Sequence, residues 1–157
     1  MNKIIIETEI NAPVERCFDL SISIDLHKIS ASKSKEQAIA GKTTGLIKLG
    51  EYVTWKAKHF GLWFKMTVEI VEFKRPNYFI DEMTHGIFKS MKHKHEFSRT
   101  EYGTLMTDIF EFSSPFGFIG KIVDKIILRA YLTQFLEQRN QVIKDFAESD
   151  KWKAILN

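Results

Sequence analysis

The chain has 157 residues, enough for one domain spanning 1–157 and too few for a second independent core. Its 13 Phe, 4 Tyr and 3 Trp make it aromatic-rich at an ordinary 44% hydrophobic content, which suits a packed core, the lining of a lipophilic pocket, or both. The net charge is +3, and its 23 basic residues are dispersed among 20 acids rather than gathered into a stripe. This argues against nucleic acid as a partner and leaves open only a transient contact with an anionic membrane.

The first element is a strand in which Ile4, Ile6, Thr8 and Ile10 alternate with Ile5, Glu7 and Glu9, so one face is buried. Ala12-Pro13 then opens a short helix with Glu15 in its first turn and Val14, Cys17 and Phe18 on its apolar face. Asp25 is placed to cap a second short helix carrying Leu26 and Ile29. Residues 31–50 are polar, with Gly41, Gly45 and Gly50, and read as loop with one edge strand. Gly41-Lys42-Thr43 has the look of a phosphate loop, but Glu36 occupies the place of the glycine that such a loop requires.

From Val53 the pattern is unambiguous. Val53, Trp55 and Ala57 alternate with Thr54, Lys56 and Lys58. Beyond Phe60-Gly61, Phe64, Met66, Val68 and Ile70 alternate with Lys65, Thr67 and Glu69. A two-residue turn at Phe60-Gly61 pairs Ala57 with Phe64, Trp55 with Met66 and Val53 with Val68, placing the apolar residues on one face. Arg75-Pro76-Asn77 is a turn, Tyr78–Thr84 a strand, His85-Gly86 a hairpin turn, and Ile87–Ser98 a longer strand. The turn Thr100–Gly103 leads to a last strand over Thr104–Ser113, with Phe97 facing Met106, His95 facing Asp108 and His93 facing Phe110.

Pro115-Phe116-Gly117-Phe118 breaks the sheet, with Phe116, Gly117, Phe118 and Ile119 as an apolar loop that is either a plug or a gate. From about Ile119 to Glu148 the chain is helical, with Ile122, Val123, Ile126, Ile127, Ala130, Leu132, Phe135, Leu136, Val142, Ile143 and Phe146 near helical spacing. Roughly 30 residues of helix span about 45 Å, the reach of an element that crosses a whole sheet. Strand, two short helices, a run of antiparallel strands and one long helix together predict an α+β helix-grip fold. In that fold a curved antiparallel sheet wraps a C-terminal helix and leaves a cavity between them.

Cys17 is the only cysteine, which excludes an intrachain disulfide. Ile4-Ile5-Ile6 is too short for a signal segment, and no stretch approaches a membrane span, so a cytoplasmic protein is expected.

In order and spacing, several segments resemble the polyketide cyclase/dehydrase and lipid-transport group of the START/Bet v 1-like (SRPBCC) superfamily. They include Ile10-Asn11-Ala12-Pro13-Val14-Glu15, Asp25-Leu26-His27, Gly50-Glu51-Tyr52-Val53-Thr54-Trp55, and His59-Phe60-Gly61. The likeness continues through Arg75-Pro76, Phe79-Ile80-Asp81, Gly86-Ile87-Phe88, His93-Lys94-His95-Glu96-Phe97, Gly103–Asp108, Pro115-Phe116-Gly117 and Arg139-Asn140. The resemblance implies a helix grip with an internal cavity, and does not imply one activity. Met91 departs from it, since related sequences often place Trp there.

His93 and His95 share one face of a strand, and Asp108 is predicted opposite His95. Asp81 can join them only if a bulge near Lys89-Ser90 reconciles the two faces. Three readings stand: an internally satisfied polar pair in an aromatic core, a polar anchor for an amphipathic ligand, and a metal or acid/base site. Catalytic candidates are His93, His95 and Asp108; neither a metal nor a cofactor is expected. The expected cavity wall is Trp55, Phe64, Met66, Val68, Phe79, Asp81, Met91, His93, His95, Phe97, Met106, Asp108, Phe110, Ile126, Ala130, Phe135 and Arg139. Arg139 either holds an acidic group or, with Arg129, is a solvated helix arginine. His27, His59 and His85 read as structural or exposed.

The function expected first is binding or carriage of a small lipophilic molecule without catalysis. The alternatives are a cyclase/dehydratase-type enzyme on a polyketide-like aromatic substrate, and a regulator that binds protein.

Overall fold

The computed structural model describes residues 1–114, 117 and 124–157, with the backbone alone at 124 and 125. Seven strands form one antiparallel sheet in the order β1-β7-β6-β5-β4-β3-β2. They are β1 (Asn2–Ile10), β2 (Gln37–Gly41), β3 (Tyr52–His59), β4 (Leu62–Lys74), β5 (Tyr78–His85), β6 (Ser90–Thr100) and β7 (Gly103–Ser113). Two short helices, α1 (Val14–Ser21) and α2 (Ile24–Ser30), separate β1 from β2. A π-helical turn, Asp124–Leu128, runs into α3 (Arg129–Ala147), and a short α4 (Lys153–Leu156) ends the chain. α1, α2 and β1 all pack against α3, so the helix lies in the concavity of the sheet.

The β3–β4 hairpin has the predicted register, Ala57 opposite Phe64, Trp55 opposite Met66 and Val53 opposite Val68. Phe60 and Gly61 both have positive φ, 51° and 77°, the conformation whose twist matches the flanking strands. β6 and β7 likewise pair as the alternation requires, His95 with Asp108 and Phe97 with Met106.

The β5–β6 junction differs from the sequence expectation. Gly86 does not close a tight hairpin, and β6 begins at Ser90 rather than Ile87. Residues 86–89 form a longer loop, which sets Asp81 opposite His93 with no bulge in that pair of strands. The sheet's irregularities lie instead between β2 and β3, at Ala38/Ala40, and between β4 and β5, at Thr67/Val68 and Ile70/Glu72.

Phe18 of α1 is fully buried. Its ring is met edge-on by Phe73, Phe79 and Phe97 at 5.3, 5.5 and 5.3 Å, which fills one end of the concavity with aromatic core. Cys17 is buried beside it, and burial pushes its thiol pKa up. Ser23, not Asp25, caps α2, its Oγ accepting from Leu26 N–H. Asp25 lies inside the first turn and accepts instead from Gly45 N–H and Thr44 Oγ1, pinning the following loop.

α3 is rotated relative to the sequence expectation. Its buried face is Leu136, Arg139, Asn140, Ile143 and Ala147, whereas Ile126 and Ala130 point to solvent, Ile126 with 69% of its surface exposed. At about 100° per residue, Ala130 lies half a turn away from Arg139, so the two cannot share a face. The expected apolar loop at Phe116, Phe118 and Ile119, and the helix start at Ile122 and Val123, lie outside the described residues. Among the described residues no helix is long and apolar enough to cross a membrane.

Candidate functional site

A cavity of about 210 Å3 lies between the sheet and α3, beyond the Phe18 cluster. Trp55, Phe64, Met66, Val68, Phe79, Met91 and Phe110 form its sheet wall, with Leu128, Leu132, Phe135 and Leu136 opposite. The polar groups of this wall gather at two places, and the deeper one is built by strand register.

Asp81 on β5, His93 and His95 on β6, and Asp108 on β7 occupy neighbouring inward positions. The histidine rings continue a row: Phe79 stacks on His95 at 4.1 Å, His95 lies tilted against His93 at 3.7 Å, and Phe110 meets His93 edge-on at 5.1 Å. Asp108, 1% exposed, is the hub. Its Oδ1 accepts from His93 Nε2 at 2.8 Å, and its Oδ2 accepts from Asn140 Nδ2 at 2.6 Å. Arg139 Nη1 lies 3.5 Å from Oδ1 and donates to Asn140 Oδ1 at 3.1 Å, while its Nη2 reaches Ser21 O at 3.5 Å. His95 Nδ1 stands 3.0 Å from Asp108 Oδ1 but out of line for a hydrogen bond; its Nε2 pairs with Asp81 Oδ2 at 2.9 Å.

Burial alone would raise the Asp108 carboxyl pKa. The His93 hydrogen bond and the close approach of both imidazoles outweigh it and hold that carboxyl well below its ordinary range. Asp81 is lowered in the same way, its burial outweighed by the His95 hydrogen bond and by the charges of His93, His95 and Arg139. Burial, reinforced by His95, drives His93 down to about 4 against the partial offset of the two carboxylates. His93 is therefore neutral near pH 7. Its Nε2 proton goes to Asp108, whose ionised oxygens only accept, and Nδ1 is left as a lone-pair acceptor.

The second polar place is nearer the mouth. His27 lies against Trp55 at 4.3 Å, with Nε2 3.3 Å from Glu36 Oε2, and His59 Nδ1 hydrogen-bonds the Tyr131 hydroxyl. Burial lowers the His59 pKa and raises that of Tyr131. Phe60 closes over Tyr131 at 4.7 Å.

Of the residues expected in the wall, Phe97 and Met106 do not reach the cavity. α1 covers their end of the sheet, so they pack beneath Phe18 and Ser21 as core. Asp108 lies behind the histidines and does not line the cavity, so it bears on the cavity only through the side chains it holds, His93 first. Ile126 and Ala130 face solvent, because the inward face runs through Leu128 of the π-helical turn and Tyr131, Leu132 and Phe135 of α3. Arg139 is buried on Asp108, which corrects the solvated-arginine reading, whereas Arg129 is exposed. His27 and His59 line the cavity. His59 was readable as the next inward position after Val53, Trp55 and Ala57, and Tyr131 as one helical turn before Phe135. No sequence signal marked Glu36. Asp81, His93 and His95 each bring a donor atom within 4.8 Å of the other two, the spacing of a group that would accept a metal ion.

Comparison with solved structures shows the START/Bet v 1-like helix-grip fold. The protein TTHA0849 of Thermus thermophilus superposes with TM-score 0.71 at 16% identity over 90% of this chain and 97% of that one. Ginseng (Panax ginseng) major latex-like protein 151 gives 0.70 at 15% identity over 94% and 98%. The di-domain ARO/CYC StfQ of the steffimycin biosynthetic pathway gives 0.75 at 10% identity over 93% of this chain and 50% of that one. No family model matches the chain, and no curated protein matches it significantly.

Proposed function

We propose that this chain binds a small lipophilic molecule in the cavity between sheet and α3, with one polar end of that molecule at the Asp81–His93–His95 group. The observation that carries this reading is the division of the wall: mostly apolar and aromatic, with convergent polar side chains at the Asp81–His93–His95 group. A volume of about 210 Å3 sits below the roughly 300–1,000 Å3 of drug-sized sites, which favours a compact ligand. Phe60 and Ile87, both exposed and both at the cavity lining, offer an apolar rim for loading, by way of a membrane surface or a carrier.

The test is titration with the neutral fluorophore N-phenyl-1-naphthylamine, together with native mass spectrometry of gently purified protein. Saturable one-to-one binding that Met91→Trp removes while the fold persists is the expected result. A folded protein that binds neither the fluorophore nor any co-purifying lipophile would sink the reading.

A second reading, a cyclase/dehydratase-type enzyme, is favoured by one feature. His93 is held neutral by burial and oriented by Asp108, and its Nδ1 is free to take a proton from a bound substrate. Turnover of a polyketide-like aromatic precursor, lost in His93→Gln while N-phenyl-1-naphthylamine still binds, would establish it.

A further inference from the structure

The polar end of the cavity has hydrogen-bond acceptors to spare and no spare positive charge. Asp81 accepts from His95 through Oδ2, and no described residue hydrogen-bonds its Oδ1. His93 gives Nε2–H to Asp108, and no described residue hydrogen-bonds its Nδ1. Both side chains line the cavity. Arg139, the one cation of the group, is engaged on Asp108, Asn140 and Ser21. Two carboxylates thus face one guanidinium. An anion reaching this end finds Arg139 already shared among Asp108, Asn140 and Ser21, and Lys65, the other cation of the lining, exposed on β4; burying an unpaired carboxylate is costly.

We propose that the cavity selects lipophilic molecules whose buried end is a hydrogen-bond donor, a hydroxyl or a protonated amine, and rejects those ending in a carboxylate. This inference rests on the reading that the cavity holds a ligand. A hydroxyl donates to Asp81 Oδ1 or His93 Nδ1. An ammonium, with three protons, can donate to either acceptor. Arg139, which the sequence offered as a holder of a carboxylate or of a ligand's acidic group, holds the protein's own Asp108.

The experiment is displacement of N-phenyl-1-naphthylamine at pH 7.5 by three matched decyl compounds, decan-1-ol, decylamine and decanoate, each kept below micelle formation. The alcohol and the amine are expected to displace the probe at concentrations at least about tenfold below decanoate, the size of one hydrogen bond to a charged or buried partner. Asp81→Asn is expected to erase the advantage of the amine over the alcohol and leave the alcohol in place. Decanoate binding as well as or better than the alcohol, or three indistinguishable curves, overturns the inference while the cavity reading stands. If the probe and all three compounds fail to bind folded protein, the cavity reading fails and takes the inference with it. Should Asp81→Asn not fold, the wild-type series remains decisive.

Discussion

A carboxylate with no accessible side-chain surface, accepting from His93 and Asn140 and lying against Arg139, holds three elements together. Removing it strands a buried guanidinium, an imidazole N–H and an amide. Asp108→Ala is therefore expected to destabilise the protein by about 3–5 kcal/mol, and Asp108→Asn, which keeps an acceptor, by about 1–3, both read from urea unfolding. His93 adds a pH dependence. Its pKa is about 4 in the folded chain against 6.5 unfolded, so between those values the unfolded state binds the extra proton. The stability held through neutral His93 is complete above pH 6.5 and is lost as pH falls towards 4, to a limit of about 3 kcal/mol. Urea melts at pH 7.5 and 4.5 check this, and His93→Gln is expected to flatten the difference. At this scale His93, His95 and Asp108 were legible, because alternation along paired strands places them. The burial of Arg139 was not, since a charge in a helix reads as exposed until a buried partner is known.

Among the elements, the β3–β4 hairpin was legible from local signals alone. Two alternating runs meet at a turn whose residues both take positive φ, and a one-residue slip would turn Trp55 and Val68 to solvent. The β5–β6 junction was not legible, because His85-Gly86 looks like a tight turn and nothing nearby announces the longer loop. The rotation of α3 follows the same logic. The π-helical turn that leads into it is apolar on more than one side, with Ile126 and Ile127 exposed and Leu128 partly buried, so periodicity leaves the inward face open. The observed rotation predicts that Ile126→Ser changes stability by less than about 0.5 kcal/mol, whereas Leu136→Ala costs about 2–5 kcal/mol. Equal losses in thermal or urea unfolding would contradict it.

In the molecule as a whole, the sheet and α3 enclose two different interiors: an aromatic core beneath α1 and a cavity beyond it. A ligand that binds only the folded chain adds stability by mass action. At about 100 times its Kd, N-phenyl-1-naphthylamine is expected to raise the unfolding free energy by about 2.7 kcal/mol in the wild type and leave Met91→Trp unchanged. By itself the sequence determined the strands, the β3–β4 and β6–β7 registers and the succession of elements that makes a helix grip, because these follow from short-range periodicity and turn chemistry. Only the tertiary structure decided that Phe97 and Met106 are core, that α3 turns Arg139 inward and Ala130 outward, and that Asp81 completes the polar end. Each of these depends on which distant surface covers a residue, and a two-residue or 3.6-residue period carries no record of that.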